Sequence, residues 1–143
     1  MTTDRIEKSI EMKAPVDRVW RALTDHKELG EWFGLEFKEA FAPGKTMMGW
    51  NRHMNREQTI VIQKIEQPRH FSLKWHPYGV DSKKYPDAAT LIEFTLEKIA
   101  SGTRLNVVES GFDKVPADLR AEAFRMHTGG WAAQLENIKK YVE

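Results

Sequence analysis

A long amphipathic helix over residues 116–142 is the sequence feature that most constrains how this chain can fold. One face of it carries residues spaced 3, 4, 4, 3 and 4 apart, namely Phe124, His127, Trp131, Leu135, Ile138 and Val142. At about 100° per residue, these side chains stay within about a quarter of the helix circumference. A helix about 40 Å long, at 1.5 Å per residue, can lie across a whole sheet, so the pattern predicts a sheet beneath it.

Both ends of this segment carry residues that are typical of helix ends. Pro116 suits the first helical position, where its missing N–H would have no partner inside the helix. Asp118 near the start, and Lys139 and Lys140 near the end, oppose the partial charges of the helix dipole. These signals support a single helix over the whole segment.

Two consecutive glycines lie in the middle of the predicted helix. Gly129 and Gly130 directly precede Trp131, and each glycine destabilises a helix by about 1 kcal/mol relative to alanine. We expect them at these positions because a backbone or a ligand approaches the helix closely.

Composition limits the class of protein. The 143 residues, 41% hydrophobic and 30% charged, suit one globular domain over residues 1–143. The net charge of +1 gives no electrostatic reason to expect nucleic acid or an anionic membrane as partner. The lack of cysteine excludes disulfides, cysteine–zinc sites and thiol nucleophiles. No stretch resembles a signal peptide or a run of about 18 apolar residues that could span a bilayer, so we expect a cytoplasmic protein.

Alternation of apolar and polar residues predicts seven strands. They cover residues 5–12, 35–40, 46–52, 58–66, 70–76, 90–99 and 103–110. Two short helices, residues 16–24 and 26–33, follow the first strand, and residues 77–89 form the longest loop. Short connections between the later strands favour antiparallel neighbours. The order therefore predicts an α+β fold in which a curved antiparallel sheet wraps around the C-terminal helix.

No motif predicts a metal site, a cofactor or covalent catalysis. The sequence PGKT at residues 43–46 lacks the earlier glycine of a phosphate-binding loop, because position 39 is Glu39. The five histidines have no zinc-ligand spacing. Ser110 lacks the flanking glycines of a nucleophile elbow. We therefore expect no cofactor, no metal and no assigned catalytic residue.

Two polar residues are predicted to point inward. Glu109 shares a strand face with Leu105 and Val107, and His127 lies in the apolar stripe of the long helix. Each also has a structural interpretation, since Glu109 could end its strand in solvent or bind a backbone N–H, and His127 could be a hydrogen-bonded core residue. A carboxylate and an imidazole that met in a pocket could perform acid–base catalysis, but no spacing in the sequence shows that they meet.

Large aromatic side chains are more numerous than a tightly packed core of this size requires. They are Trp32, Phe33, Phe37, Trp50, Phe71, Trp75, Tyr78, Phe94, Phe112, Phe124 and Trp131. Most are expected to be plain core. The excess favours a concave aromatic-lined space between sheet and helix, which is the usual form of a small-molecule site.

A series of short motifs resembles the START-like, helix-grip superfamily. The motifs are APV at residues 14–16, VWRALT at 19–24, EWFG at 31–34, WHPY at 75–78, LIEFTL at 91–96, ESGFD at 109–113, GW at 130–131 and LEN at 135–137. In this order they look most like the subgroup named for the activator of the ninety-kilodalton heat-shock protein's ATPase. The resemblance spans nearly the whole chain.

The resemblance implies a seven-stranded antiparallel sheet that grips the C-terminal helix, with a hydrophobic cavity between them and two short helices closing one end. Members of the superfamily bind lipids, sterols, polyketides and other apolar molecules, and some are cyclases or hydrolases. The subgroup takes its name from a eukaryotic co-chaperone, which implies a link to the stress response.

The leading hypothesis is a carrier or sensor of a small apolar ligand, with little or no enzymatic activity. The predicted ligand-binding residues are Trp32, Phe33, Phe37, Trp50, Phe71, Trp75, Tyr78, Phe94, Glu109, Phe112, His127 and Trp131. One alternative is a module that contacts the heat-shock chaperone through the outer face of the sheet or through residues 77–89. The other is a cyclase or hydrolase that uses Glu109 and His127. We expect a monomer or a weak homodimer.

Overall fold

The alternating segments of the sequence form the strands of one antiparallel sheet. The computed structural model describes residues 4–143. Its strands are β1 (Arg5–Met12), β2 (Leu35–Glu36), β3 (Thr46–Asn51), β4 (Arg56–Glu66), β5 (His70–Trp75), β6 (Thr90–Ile99) and β7 (Gly102–Ser110). Within the described residues they form a seven-stranded sheet in the order β1-β7-β6-β5-β4-β3-β2. The helices are α1 (Val16–Thr24), α2 (His26–Phe33) and α3 (Ala117–Val142). The predicted α+β helix-grip fold is confirmed.

The long helix packs on the sheet through the predicted stripe. Trp131, Leu135 and Ile138 are buried, while the flanking stripe residues are half-buried. Pro116 stands one residue before the helix, with an extended backbone, and not at its first helical position. The carbonyl of Pro116 still accepts hydrogen bonds from the backbone N–H groups of Leu119 and Arg120, so this proline begins the first turn.

The two short helices are joined to each other by local hydrogen bonds. The carboxylate of Asp25 accepts from the backbone N–H groups of Lys27 and Glu28, which are free donors at the start of α2. The indole N–H of Trp32 then donates to the carbonyl of Ala22 at 2.7 Å and ties α2 to α1. These bonds place the end of α2 beside the core.

The turn between β3 and β4 determines where β4 begins. The side-chain oxygen of Asn51 accepts from the backbone N–H groups of His53 and Met54, and Asn55 adopts a left-handed backbone with φ of 53°. This tight turn lets Arg56 pair with Asn51 in the ladder. β4 therefore starts at Arg56, two residues earlier than predicted. Separately, β2 is shorter than predicted and ends at Glu36, four residues before the predicted end.

Strand β7 is the element that carries a polar group into the core. Thr103, Leu105, Val107 and Glu109 form its buried face, in the alternation predicted from the sequence. Glu109 lies opposite Ile92 of β6 in the ladder.

In the part of the chain that the structure describes, none of the helices combines the length and apolarity needed for a membrane crossing.

Candidate functional site

Aromatic rings fill the space between the sheet and α3. Trp131 of α3 stacks against Trp75 of β5, with ring centroids 5.8 Å apart, and meets Phe94 of β6 edge to face at 5.6 Å. Phe94 in turn stacks against Phe71 at 6.1 Å. The internal cavity that remains among these rings measures about 10 Å³, which is room for about one water-sized sphere. The predicted aromatic-lined space between sheet and helix therefore does not lie among these rings.

A cleft of about 280 Å³ opens beside this filled interior. Its walls come from the end of α2, the turn between β3 and β4, the end of β5 with the residues that follow it, and the middle of α3. The large apolar side chains in its lining are Phe33, Met54, Trp75, Tyr78, Met126 and Trp131. The polar ones are Asn51, His53, Arg56, Gln58, His76, His127 and Gln134. The cleft thus lies between sheet and helix, at the edge of the core.

The structure brings only part of the predicted site into this cleft. The predicted residues that line it are Phe33, Trp75, Tyr78, His127 and Trp131. Those that are buried in the core without lining it are Trp32, Phe37, Phe71, Phe94, Glu109 and Phe112. Two residues of the second group support the cleft from beneath, because the ring of Phe94 contacts Trp131 and the carboxylate of Glu109 binds Trp75 and Trp131.

Trp50 lies on the other face of the sheet. The inward positions of β3 are Met47 and Gly49, so Met48 and Trp50 face outward, with Trp50 42% exposed. Phe37 covers Gly49 from inside so closely that an added Cβ would lie 2.6 Å from its ring. The aromatic ring that occupies this inward position therefore comes from Phe37, and Trp50 belongs to an outer surface.

Glu109 is a fully buried carboxylate that accepts four hydrogen bonds. Its Oε1 accepts from Nδ1 of His127 at 2.7 Å and from the indole N–H of Trp131 at 2.7 Å. Its Oε2 accepts from the indole N–H of Trp75 at 2.9 Å and from the hydroxyl of Thr90 at 2.5 Å. A carboxylate offers about four lone-pair positions, so this side chain is fully satisfied inside the protein.

These hydrogen bonds keep Glu109 ionised. Burial raises the pKa of the Glu109 carboxyl, but the hydrogen bonds from His127, Thr90 and Trp131 outweigh it and hold the pKa below its ordinary value. A single carboxylate thus fixes the two stacked indoles at the floor of the cleft in position.

His127 connects this buried carboxylate to the loop over residues 77–89. Its Nε2 lies 2.9 Å from the backbone N–H of Tyr78, which can only donate, so Nε2 accepts. Its Nδ1 therefore carries the proton that it donates to Glu109. This arrangement describes a neutral imidazole whose two nitrogens are both engaged, and it holds the backbone of Tyr78 against the cleft.

Glu109 and His127 are close enough for acid–base cooperation, but their hydrogen bonds give them a structural role. Glu109 is 0% exposed and does not line the cleft, and both of its oxygens are saturated with donors. The Nε2 atom of His127 is occupied by Tyr78. In this conformation neither group has a free lone pair with which to take a proton from a bound molecule.

Several residues of the cleft were not predicted from the sequence. They are Asn51, His53, Met54, Arg56, Gln58, His76, Met126 and Gln134. Strand parity could have found Arg56, because it shares the inner face of β4 with Gln58 and Ile60, but the strand was predicted to begin at Gln58. Within residues 4–143, no three acidic or histidine side chains converge in an arrangement that could hold a metal ion.

A family model covers most of the chain. Residues 13–143 match the model described as "Activator of Hsp90 ATPase homolog 1-like protein". The chain belongs to this family. The family resemblance predicted from the sequence motifs is therefore confirmed, and the domain has a START-like fold that is generically used for ligand binding. None of the curated proteins matches this family member.

Solved structures from several bacteria share the fold of this family member. MLL2253 from Mesorhizobium loti is 20% identical with a TM-score of 0.79, over 95% of this chain and 94% of that one. BH1534 from Bacillus halodurans is 22% identical with a TM-score of 0.73, over 98% and 99%. CV1439 from Chromobacterium violaceum is 19% identical with a TM-score of 0.73, over 98% of each chain. At these identities the likeness shows the fold alone.

Proposed function

We propose that this domain binds a small apolar or aromatic molecule in the cleft between the sheet and α3. The observation that carries the proposal is the cleft itself, with about 280 Å³ of space over the stacked indoles of Trp75 and Trp131. This volume is close to the lower end, about 300 Å³, of the usual range for small-molecule sites. The ligand is therefore expected to be small, on the scale of a bicyclic aromatic molecule.

Exposed apolar side chains around the cleft support this proposal. Met54, Tyr78 and Met126 are 39%, 38% and 39% exposed, and all three line the cleft. Isolated exposed hydrophobic residues are normal, but a cluster of them around a concave surface is typical of a binding site. Methionine also adapts its shape to different apolar partners. A bound apolar molecule would remove these side chains from water.

Gly130, one of the two consecutive glycines of α3, supports the same site. Apart from the chain neighbours and the adjacent backbone of α3 itself, an added Cβ at Gly129 or Gly130 would meet no atom of the described residues within 4 Å, so no other packed element requires a glycine there. Gly130 lines the cleft, whereas Gly129 does not. A side chain at position 130 would narrow the cleft, which gives a reason for glycine at that position.

Gly130→Leu and Gly129→Leu form a matched pair of variants for testing the proposal. We expect the wild type to bind 2-naphthamide, a neutral bicyclic aromatic, with a Kd on the order of 0.1 mM, as estimated from the affinity per atom of small ligands. Gly130→Leu is expected to weaken this binding by about tenfold or more, because its side chain enters the cleft and displaces part of the ligand's apolar contact. Isothermal titration calorimetry measures both constants.

The control variant separates a blocked cleft from a disturbed helix. Gly129→Leu makes the same chemical change one residue away, and we expect its Kd to stay within about twofold of the wild type. Both variants should be more stable than the wild type by about 0.5–1 kcal/mol, because leucine is the better helix former. Equal loss of binding in both variants, or no binding by the wild type, would contradict the proposed site.

A protein contact on the outer face of the sheet is a second candidate function. Met48 and Trp50 are 61% and 42% exposed, and they are neighbours on the outward face of β3. Exposed tryptophan and methionine are enriched where proteins bind each other. The family description names an activator of the Hsp90 ATPase, so a heat-shock chaperone is the partner to test.

The second candidate is tested by chaperone ATP turnover. If this face binds the chaperone, the wild type changes the turnover rate and Trp50→Ala loses the effect, while Gly130→Leu keeps it. If only the cleft is functional, no variant alters turnover.

A further inference from the structure

The cleft has an unbalanced set of charges. Its lining includes the cationic residue Arg56 and no acidic residue. Glu109 lies beneath the lining, but its charge is already bound by four internal donors. A molecule in the cleft therefore meets a cation and no counter-charge from the protein.

Arg56 differs from most arginines of this protein in having no partner. Arg18, Arg52 and Arg104, for example, bind carboxylates or backbone carbonyls. In residues 4–143, only Arg56 and Arg69 make no side-chain hydrogen bond or ion pair. Of these two, only Arg56 lines the cleft. Its guanidinium offers five N–H donors, and none of them has an acceptor in the described protein.

Three neighbouring side chains of the cleft already donate to backbone carbonyls. The Nε2 atoms of His53 and Gln134 both contact the carbonyl of Phe33, at 3.3 and 2.7 Å. The Nε2 atom of His76 contacts the carbonyl of Tyr85 at 2.9 Å. Because a carbonyl only accepts, each of these nitrogens acts as a donor to the protein itself, and none of the three side chains is cationic in this role. Arg56 is therefore the charged donor that remains for a ligand.

From this arrangement we infer that the ligand is a small apolar carboxylate whose anionic group pairs with Arg56. This inference rests on the proposed function, since it names the chemical class of molecule that the cleft takes. The planar guanidinium matches a carboxylate with two parallel hydrogen bonds. The apolar body then lies over the indoles of Trp75 and Trp131, between Met54 and Met126.

A groove outside the cleft shares Arg56 and contains acidic groups. Glu57 and Asp81 line that groove, but neither carboxylate lies within 4 Å of the Arg56 guanidinium in the described structure. Asp81 instead accepts from the backbone N–H of Lys83. The charge of Arg56 is thus not neutralised from that side.

The test compares two ligands that differ only in charge. 2-Naphthoate and 2-naphthamide have the same rings, and only the first is anionic at pH 7. We expect the wild type to bind the carboxylate about fivefold more tightly than the amide, a ratio set by the energy of an exposed ion pair. Arg56→Gln should reduce the ratio to about one while leaving the Kd of the amide within about twofold.

Arg69→Gln is the matched control, because it removes the same charge from an exposed arginine in the turn that follows β4. β4 runs from Arg56 to Glu66, and at about 3.3 Å per residue its two ends are about 33 Å apart. This distance is well beyond the electrostatic screening length of about 8–10 Å, so a charge change at the Glu66 end, where Arg69 lies, should not affect the cleft. This control should retain the wild-type ratio.

The possible outcomes distinguish failure of the carboxylate inference from failure of the proposed function. Equal binding of both ligands by the wild type would overturn the carboxylate inference and leave the cleft as an apolar site. A preference that Arg56→Gln retains would also overturn it, since the charge would then be recognised elsewhere. If neither 2-naphthoate nor 2-naphthamide bound, the proposed function itself would be overturned.

Discussion

Replacing Glu109 with glutamine is expected to lower the free energy of unfolding by about 3–5 kcal/mol, the range for breaking a buried charged network by changing one partner. A domain of this kind is stable by only about 5–15 kcal/mol in total, so the loss is large. Urea unfolding followed by tryptophan fluorescence measures it.

The physical reason lies in the number of donors that face this side chain. A glutamine amide has one accepting oxygen, whereas all four neighbours donate. If the NH₂ group takes the place of Oε1, it faces the indole N–H of Trp131. If it takes the place of Oε2, it faces the indole N–H of Trp75. In either orientation one buried indole donor loses its acceptor, which is the costly outcome.

The matched control is Glu57→Gln, which makes the same change at an exposed position of β4. Its effect should stay within about 0.5 kcal/mol, as for most surface substitutions. Similar stability of the two variants would contradict the structural role of Glu109.

The same pair of variants has a defined pH dependence. The pKa of Glu109 is lower in the folded protein than its ordinary value of 4.5. Its contribution to stability is therefore fully present above pH 4.5, and is lost as the pH falls through the lower folded pKa. We expect Glu109→Gln to lose less stability than the wild type on acidification below pH 4.5, and Glu57→Gln to follow the wild type.

Replacing Trp131 with alanine is expected to have an effect of similar size, about 4–5 kcal/mol, because it deletes a large buried ring. The ring stacks on Trp75, contacts Phe33 and Phe94 at 5.8 and 5.6 Å, and donates its indole N–H to Glu109. Its removal would join the internal cavity to the cleft, since Trp131 lines both spaces.

Two further variants separate packing from hydrogen bonding at this position. Trp131→Phe keeps a large ring but removes the donor, and we expect it to cost about 2 kcal/mol, the value of a hydrogen bond to a charged group. Trp50→Ala deletes the same type of ring from the outer face and should cost less than about 1 kcal/mol. Equal costs for Trp131→Ala and Trp50→Ala would contradict the packing described here.

Local periodicity was sufficient to predict the parts of the fold that depend on neighbours in sequence. The alternation of Leu105, Val107 and Glu109 placed the carboxylate inside β7, and the helical stripe identified the buried face of α3. Both patterns follow from backbone geometry that holds in any fold.

Periodicity alone could not identify the inward face of β3. Met48 and Trp50 alternate correctly, but the buried positions are Met47 and Gly49. Glycine has no side chain to mark the inward face, and the ring that covers it belongs to Phe37, from a separate segment. The larger hydrophobic residues therefore indicated the wrong side for Trp50.

Whether aromatic rings fill a space or line one depends on the separation of the elements that carry them. Trp75, Phe94 and Trp131 come from two strands and a helix, and their sequence positions do not determine how closely these elements pack. The contact from the backbone of Tyr78 to His127 was equally hidden, since any residue could supply that N–H. The cleft beside the core could be recognised only in three dimensions.

The most direct test of the central claim is an NMR titration of the indole N–H signals with 2-naphthoate. The protein has five tryptophans, of which Trp75 and Trp131 form the floor of the cleft and Trp50 lies on the outer face. If the cleft binds the ligand, the indole signals of Trp75 and Trp131 shift with a common saturation curve while that of Trp50 stays in place. A shift of Trp50 alone, or no shift of any indole signal, would contradict the proposed site.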